Sequence, residues 1–174
     1  TRIYIGYPEP RTAEIAAITS CGDYLICSIN FLLGGGGNIY RSSDGGASWN
    51  KVAKDPFVVQ ELTVYGDTVV AIADIPSISR DEKGYSFLST DCGATWRQIP
   101  SPGGARPVTH HLFHGSRLLA FVTGTVFRSD DLGMNWTNLG NCGCMPEASI
   151  SFGNTILLGL DDNRILRSTD QGST

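Results

Sequence analysis

The sequence predicts an all-β protein built from repeated four-stranded antiparallel units, and three observations lead to this prediction. Its 174 residues include 21 glycines, and Val, Ile, Thr, Phe and Tyr are frequent, as in short strands joined by tight turns. A turn motif, S-x-D-x-G-x-x-W, recurs along the chain. Its aspartates Asp44, Asp91, Asp131 and Asp170 lie 47, 40 and 39 residues apart. Repeats of this length are typical of four-stranded β-propeller blades, so about four blades are predicted.

We call the four copies of the motif box 1 to box 4. The first three keep all four motif residues, whereas box 4 ends where its tryptophan would follow. The motif residues are Ser42, Asp44, Gly46 and Trp49; Ser89, Asp91, Gly93 and Trp96; Ser129, Asp131, Gly133 and Trp136; and Ser168, Asp170 and Gly172.

The residue types of a box indicate a structural role. An aspartate can accept hydrogen bonds from backbone N–H groups of its own turn, and a glycine permits a left-handed backbone. A tryptophan buries a large apolar area while its indole N–H requires a partner. We therefore expect the boxes to build the fold rather than to catalyse. Trp96→Ala is expected to cost roughly 3–5 kcal/mol, the value for a buried large aromatic side chain.

A second landmark, a glycine followed by Asp, Asn or Ser, precedes each box and separates two apolar runs, as expected for a hairpin. The four pairs are Gly22-Asp23, Gly66-Asp67, Gly115-Ser116 and Gly153-Asn154. Each unit then contains strand A, the hairpin, strand B, a variable loop, strand C, the box and strand D. The predicted blade units are 11–56, 57–105, 106–145 and 146–174, and residues 1–10 are a further candidate piece.

The two ends of the chain fall at the same phase of the repeat. Thr1-Arg2-Ile3-Tyr4 fits the pattern that follows a box tryptophan, and box 4 stops just before its own. Two explanations stay open: the chain is a window of a longer array, or its N-terminus closes the last blade. Natural rings usually have more than four blades, which favours a segment of a larger propeller. Additional blades would then come from the same or another chain.

The boxes resemble the Asp-box, or bacterial neuraminidase repeat, of sialidases, xyloglucan-degrading glycosidases, sortilin-type receptors and photosystem II assembly factors. The resemblance covers essentially the whole chain, with Ser48 and Asn135 in place of the usual threonine before tryptophan. It implies a propeller whose boxes lie on the rim, away from the ligand face. Sialidases of this family also carry an arginine triad, a Tyr–Glu pair and an early Arg-Ile-Pro motif. Here Arg2-Ile3 is followed by Tyr4, so sialidase activity is not expected.

The loops opposite the boxes are the predicted place for ligand contacts, because they vary most in length. The first two loops between strands B and C are extended, at 30–37 and 75–84. The ligand-face candidates are Arg80, Lys83 and Arg106. A glycosidase needs two carboxylates about 5–10 Å apart. The one pairing that we propose from the sequence joins Asp81 or Glu82 to Asp161 or Asp162.

Composition excludes several other functions. A net charge of −4 argues against a nucleic-acid surface, and no apolar run approaches the roughly 20 residues of a membrane span. No cofactor or metal site is predicted, since the five cysteines contain no C-x-x-C pair. Their connectivity stays open: Cys21 and Cys92 fall on the box side, Cys142 and Cys144 on the other, and Cys27 with Cys142 or Cys144 is one alternative. His110, His111 and His114 are interpreted as packing residues, with the first and last on one face of a strand.

The sequence therefore favours a non-catalytic propeller that acts as an interaction or assembly scaffold, extracellular or periplasmic, with a protein or a glycan as partner. The alternatives are a fragment of a secreted glycoside hydrolase, sialidase- or xyloglucanase-like, and a carbohydrate-binding propeller.

Overall fold

The computed structural model describes residues 13–31, 36–55, 58–74, 84–104, 107–143 and 145–172. These residues form fifteen β-strands in four sheets, and the strands of each sheet follow chain order. The described ranges contain no helix that is long and apolar enough to cross a membrane. The prediction of an all-β protein with repeated antiparallel sheets is confirmed.

The strand bounds follow the predicted units closely. The first sheet contains β1 (Ala13–Cys21), β2 (Tyr24–Phe31), β3 (Gly37–Ser42) and β4 (Asn50–Asp55). The second contains β5 (Val58–Tyr65), β6 (Thr68–Asp74), β7 (Gly84–Ser89) and β8 (Arg97–Ile99). The third contains β9 (His110–His114), β10 (Arg117–Val122), β11 (Thr125–Ser129) and β12 (Thr137–Asn141). The fourth contains β13 (Pro146–Phe152), β14 (Thr155–Leu160) and β15 (Ile165–Ser168).

The fourth sheet differs from the prediction of four strands in every blade. It has three strands among the described residues, because strand D would begin after box 4, where residues 173 and 174 lie outside the described ranges. Residues 1–12, on which closure by the N-terminus depends, also lie outside them. Both explanations for the chain ends, and the division into four blade units, stay predictions.

Each strand A–strand B hairpin turns on its predicted glycine. Gly22, Gly66, Gly115 and Gly153 have φ angles of 54°, 55°, 57° and 55°. A positive φ at the first of two turn residues is typical of the hairpin turns that match the twist of the flanking strands. The four hairpin turns predicted from the residue types are therefore present in the structure.

Each box contains two successive left-handed residues, of which the sequence predicted only the second. Gly46, Gly93, Gly133 and Gly172 have φ between 78° and 89°. The residue before each of them is also left-handed, and three of these are not glycine: Cys92 (50°), Leu132 (57°) and Gln171 (66°). A non-glycine residue in this region costs free energy, so other contacts of the box must hold it there.

The described residues fall into two compact units. The first unit lies within Thr1–Asp81 and Phe87–Gln98. The second lies within Glu82–Ser86 and Ile99–Thr174. In the first unit, β1 and β2 pack against β5. Its core includes Ile26, Val69 and Ala71, all fully buried. Asn30 joins the two sheets by donating from Nδ2 to Val59 O at 3.0 Å and accepting from Val59 N at 3.1 Å.

In the second unit, β9 packs against β13. The core between these sheets contains Leu119 and Phe121 of β10 together with Ile156 and Leu158 of β14. Burial alternates along β14, with Ile156, Leu158 and Leu160 buried and the residues between them half-exposed. One face of the fourth sheet is thus packed against the third, as the twofold alternation of side chains in a strand requires.

Candidate functional site

Box 3 shows how the motif residues interact. The Ser129 hydroxyl donates to Asp131 Oδ1 at 2.8 Å and accepts from Gly133 N at 2.7 Å. Asp131 Oδ1 also accepts from Asn135 N at 2.8 Å, and Oδ2 accepts from Asn135 Nδ2 at 2.7 Å. The serine and the aspartate together close the turn, and this network holds Leu132 in its left-handed conformation.

The other boxes repeat these contacts. In boxes 1 and 2 the hydroxyls of Ser48 and Thr95 each donate to their box aspartate at 2.6 Å, in place of the asparagine amide. In box 4, Ser168 donates to Asp170 at 2.7 Å and accepts from Gly172 N at 2.9 Å. The departures from threonine noted in the sequence therefore keep a donor at the same position.

The hydrogen bonds hold the carboxyl groups of boxes 1 to 3 ionised. In Asp44 and Asp131 the side chain four positions later is the largest cause, and the pKa falls from the usual 3.8 to about 2. In Asp91 partial burial raises the pKa, but hydrogen bonds from Thr95 and Ser89 lower it by more, again to about 2. A carboxyl group with such a low pKa cannot hold a proton near neutral pH, which a general acid must do.

The box tryptophans are half-buried rather than fully buried, which corrects one expectation. Their indole N–H groups do find partners, as predicted. Trp49 donates to Gly46 O and Trp96 to Gly93 O, each at 3.0 Å. Trp136 donates instead to Pro100 O at 2.9 Å.

Asp161 and Asp162 lie in the turn between β14 and β15. Asp162 Oδ2 is 2.7 Å from both Nε and Nη2 of Arg164, and Asp162 Oδ1 accepts from Arg164 N at 3.2 Å. The Asp162 carboxylate is therefore bonded to a neighbour in its own turn. Asp161 N donates to Met145 O at 3.2 Å, which ties this turn to the segment before β13.

The other predicted site residues lie outside the described residues. These are Asp81 and Glu82, proposed as carboxylate partners, and Arg80, Lys83 and Arg106, proposed as ligand-face residues. The pairing of either carboxylate with Asp161 or Asp162 stays a prediction.

The turns of the second unit that lie opposite its boxes form a surface that we call the loop face, defined as residues 123–124, 141–143, 145 and 161–164. Cys142 ties two of its turns together, because the Cys142 N–H and thiol both donate to Gly124 O, at 2.8 and 3.0 Å. Asn141 Oδ1 accepts from Gly143 N at 2.6 Å. Asn141, Met145 and residues 161–164 are exposed. The loop face thus combines a fixed backbone with exposed amide, thioether and charged groups.

Two histidine–serine hydrogen bonds join the third and fourth sheets. His110 Nε2 lies 2.6 Å from Ser149 Oγ, and His114 Nδ1 lies 2.7 Å from Ser151 Oγ. His111 points to the other side of β9, as predicted, where its Nε2 lies 3.4 Å from Ser86 Oγ. All three side chains hold neighbouring strands together, in agreement with their interpretation as packing residues.

His111 is 1% exposed, and this burial has an electrostatic consequence. Desolvation, followed by the nearby His110, lowers the pKa of His111 from the usual 6.5 to about 3. The imidazole is therefore neutral near pH 7, and its protonation in acid would place a positive charge on a buried group.

A disulfide joins Cys21, at the end of β1, to Cys92 of box 2. The sequence had placed both residues on the box side without pairing them. Within the described ranges, the one group of His, Cys, Asp or Glu side chains close enough to hold a metal ion is Cys21, Asp67 and Cys92. Metal binding by cysteine requires a thiolate, so the intact disulfide removes two of these three ligands. Cys27 is buried outside any disulfide, and burial raises its pKa to about 11.

Comparison with known proteins finds no matching family model. The human VPS10 domain-containing receptor SorCS2 is 28% identical over 106 residues, which cover 59% of this chain and 9% of the receptor. The chain therefore spans a small part of that relative.

Solved structures show the fold. The GH74 enzyme of Niastella koreensis superposes with a TM-score of 0.67 and 20% identity, over 93% of this chain and 23% of the enzyme. YCF48, solved bound to the D1 peptide, superposes with a TM-score of 0.60 and 17% identity, over 87% of this chain and 50% of the YCF48 chain. The Trypanosoma rangeli sialidase superposes with a TM-score of 0.54 and 17% identity, over 94% of this chain and 37% of the sialidase. These neighbours are sialidase-type β-propeller proteins, and the chain shares their blade fold.

Proposed function

We propose that this chain is a non-catalytic binding module that recognises a protein segment outside the cytoplasm through its loop face. One observation carries the proposal: Asp162, one of the two candidate carboxylates among the described residues, is bonded within its own turn, as are the box aspartates. Asp44, Asp91 and Asp131 have lowered pKa values, and Asp162 is paired with Arg164. Acid–base catalysis of glycoside hydrolysis instead needs a carboxyl group with a raised pKa.

The fold neighbours and the disulfide support the two other parts of the proposal. YCF48, a fold neighbour, was solved bound to the D1 peptide, which supports a protein segment as the partner of this chain. The Cys21–Cys92 disulfide favours an oxidising compartment, because thiols are kept reduced in the cytosol. The disulfide therefore supports an extracellular or periplasmic location.

The proposal can be tested by panning a random dodecapeptide phage library against the oxidised chain. Met145 on the loop face and Met134 in box 3 offer a matched pair, because they are 40% and 47% exposed. We expect enriched peptides to lose at least about tenfold in affinity for Met145→Ala or Arg164→Ala, and to bind Met134→Ala normally. Exposed thioether and guanidinium groups supply much of the contact energy of such surfaces. Equal effects of Met145→Ala and Met134→Ala would contradict the assignment of the loop face.

A glycosidase fragment is the second candidate, favoured by the likeness to the GH74 enzyme. It predicts turnover of xyloglucan or of a sialoside that Asp162→Asn abolishes. A binding module predicts no turnover in either form. Hydrolysis by the wild-type chain, lost in Asp162→Asn and retained in Asp130→Asn on the box side, would establish the enzyme.

A further inference from the structure

Two sulfur atoms and one carboxylate lie close together in the first unit. Cys21 ends β1, Asp67 lies in the hairpin turn between β5 and β6, and Cys92 is a left-handed residue of box 2. One ligand atom of each residue lies within 4.8 Å of the other two. The disulfide joins the two sulfurs in the oxidised protein. Reduction of this bond therefore leaves two thiols beside one carboxylate.

The spacing of these atoms matches a tetrahedral zinc site. Zinc bonds to sulfur at about 2.3 Å and to carboxylate oxygen at about 2.0–2.2 Å, so a sulfur and an oxygen of one tetrahedron lie about 3.6 Å apart. Cys92 Sγ lies 3.6 Å from Asp67 Oδ1. Two sulfurs on the same zinc lie about 3.8 Å apart. Sulfurs freed from a disulfide separate to a similar distance without an ion, because non-bonded heavy atoms rest about 3.5–4.0 Å apart.

Gly22 leaves room for an ion and a path to it. A Cβ atom on this residue would lie 3.7 Å from Cys92 Sγ and 3.9 Å from Asp67 Oδ1, so glycine keeps one side of these ligand atoms free of a side chain. Gly22 and Asp67 are exposed, whereas Cys21 and Cys92 are 2% and 4% exposed. An ion can therefore reach the buried sulfurs from the side of the glycine and the carboxylate.

The backbone holds the ligands near one another without the disulfide. Cys92 N donates to Asp67 O at 2.9 Å, which ties box 2 to the hairpin. Cys21 Sγ lies 3.3 Å from Gly66 O of the same hairpin. The strands that carry Cys21 and lead into this hairpin, β1 and β5, pack against each other. Little ordering is thus left for an ion to impose, which favours its binding.

We propose that the first unit binds one Zn²⁺ ion when its disulfide is reduced, through the thiolates of Cys21 and Cys92 and the carboxylate of Asp67. A water molecule completes the tetrahedron. Binding converts two thiols into thiolates and releases two protons to solvent. Thiolate ligands select zinc over magnesium and calcium, which prefer oxygen. Zinc and the disulfide are therefore alternative links between the first sheet and box 2, and this site does not depend on the proposed function.

The test titrates Co²⁺, a spectroscopic substitute for Zn²⁺, into the full chain in the absence of oxygen. A phosphine reduces the disulfide: it takes the oxygen of one water molecule and becomes its oxide, and each cysteine sulfur gains one hydrogen. The Cys21→Ala/Cys92→Ala variant, treated in the same way, gives the background of the remaining three cysteines. Above this background, we expect a thiolate-to-cobalt charge-transfer band that saturates at one ion per reduced chain and disappears when Zn²⁺ is added. The oxidised chain should give no band above it.

Asp67→Asn tests the carboxylate against a matched aspartate. Asp23 follows the glycine of its hairpin as Asp67 does, but it is outside the group of close ligand atoms. We expect Asp67→Asn to weaken Zn²⁺ binding to the reduced chain at least about tenfold, since even outer contacts of a metal site contribute about 10–100-fold. Asp23→Asn should leave Zn²⁺ binding unchanged.

Thermal unfolding followed by near-UV circular dichroism tests the site even if reduction loosens the fold. An ion that binds the folded chain raises the unfolding temperature, and it restores folding where the metal-free chain is unfolded. We expect Zn²⁺ to have one of these two effects on the reduced wild-type chain and neither on the oxidised chain or the double variant.

Three results would overturn the proposal. The first is a reduced wild-type chain with no more cobalt–thiolate absorption than the double variant. The second is an equal loss of Zn²⁺ affinity in Asp67→Asn and Asp23→Asn. The third is a reduced chain whose unfolding does not respond to Zn²⁺. None of these results bears on peptide binding by the loop face, so the two proposals fail separately.

Discussion

Reduction of the Cys21–Cys92 disulfide is expected to lower the free energy of unfolding of the first unit by about 4 kcal/mol. The two cysteines are 71 residues apart, so the bond closes a long loop in the unfolded chain. In the chain-entropy description, a loop of this length removes roughly 15 cal/mol/K from the unfolded state, or about 4 kcal/mol at 25 °C. The bond also joins the first sheet to box 2, since Cys21 ends β1 and Cys92 precedes Gly93.

Guanidinium unfolding of the oxidised and reduced protein, followed by tryptophan fluorescence, measures this difference. Alkylation in denaturant should leave Cys21 and Cys92 unmodified until reductant is added. The control is the Cys21→Ala/Cys92→Ala double variant, on which reductant should have no further effect. A reduced protein within about 1 kcal/mol of the oxidised form would refute the reasoning, and so would alkylation of either cysteine without reductant.

Three further predictions concern the boxes and the buried histidine. Trp96→Ala should lower the free energy of unfolding in guanidinium by about 2–3 kcal/mol, below the value for full burial, because the ring is half-buried. Trp96→Phe should lower it by about 1 kcal/mol, because the hydrogen bond to Gly93 O is lost. Asp131→Asn should lower stability at pH 7 and flatten the pH dependence between 3.8 and about 2, because the folded pKa lies below the unfolded value and the stabilising effect is lost as acid protonates the carboxylate. His111→Leu should flatten the loss of stability between pH 6.5 and about 3, where the unfolded chain binds a proton that the buried imidazole resists.

Each of these predictions has a contrary outcome. Equal losses for Trp96→Ala and Trp96→Phe would show that the ring contributes little beyond its hydrogen bond. If the unfolding temperatures of Asp131→Asn and of the wild-type protein change with pH at the same slope, the lowered pKa of the Asp131 carboxyl group is contradicted. An acid loss in His111→Leu as steep as in the wild type would show that other groups cause it.

The parts of the fold that the sequence predicted are those that depend on local chemistry. A glycine between two apolar runs can adopt a positive φ without cost, so the residue types alone were enough to assign Gly22 and Gly66 to hairpin turns. The box serines, aspartates and glycines interact within five residues, and their spacing in the sequence reflects that short range.

The parts that were missed depend on contacts between distant segments or on residues without a local signal. Cys92 and Leu132 are left-handed because the hydrogen bonds around them close the turn, and neither residue type indicates it. The disulfide joins sheets whose packing the positions of the cysteines in the sequence do not reveal. The histidines were assigned to the right faces, but their serine partners, 37 and 39 residues away, depend on how β13 packs against β9.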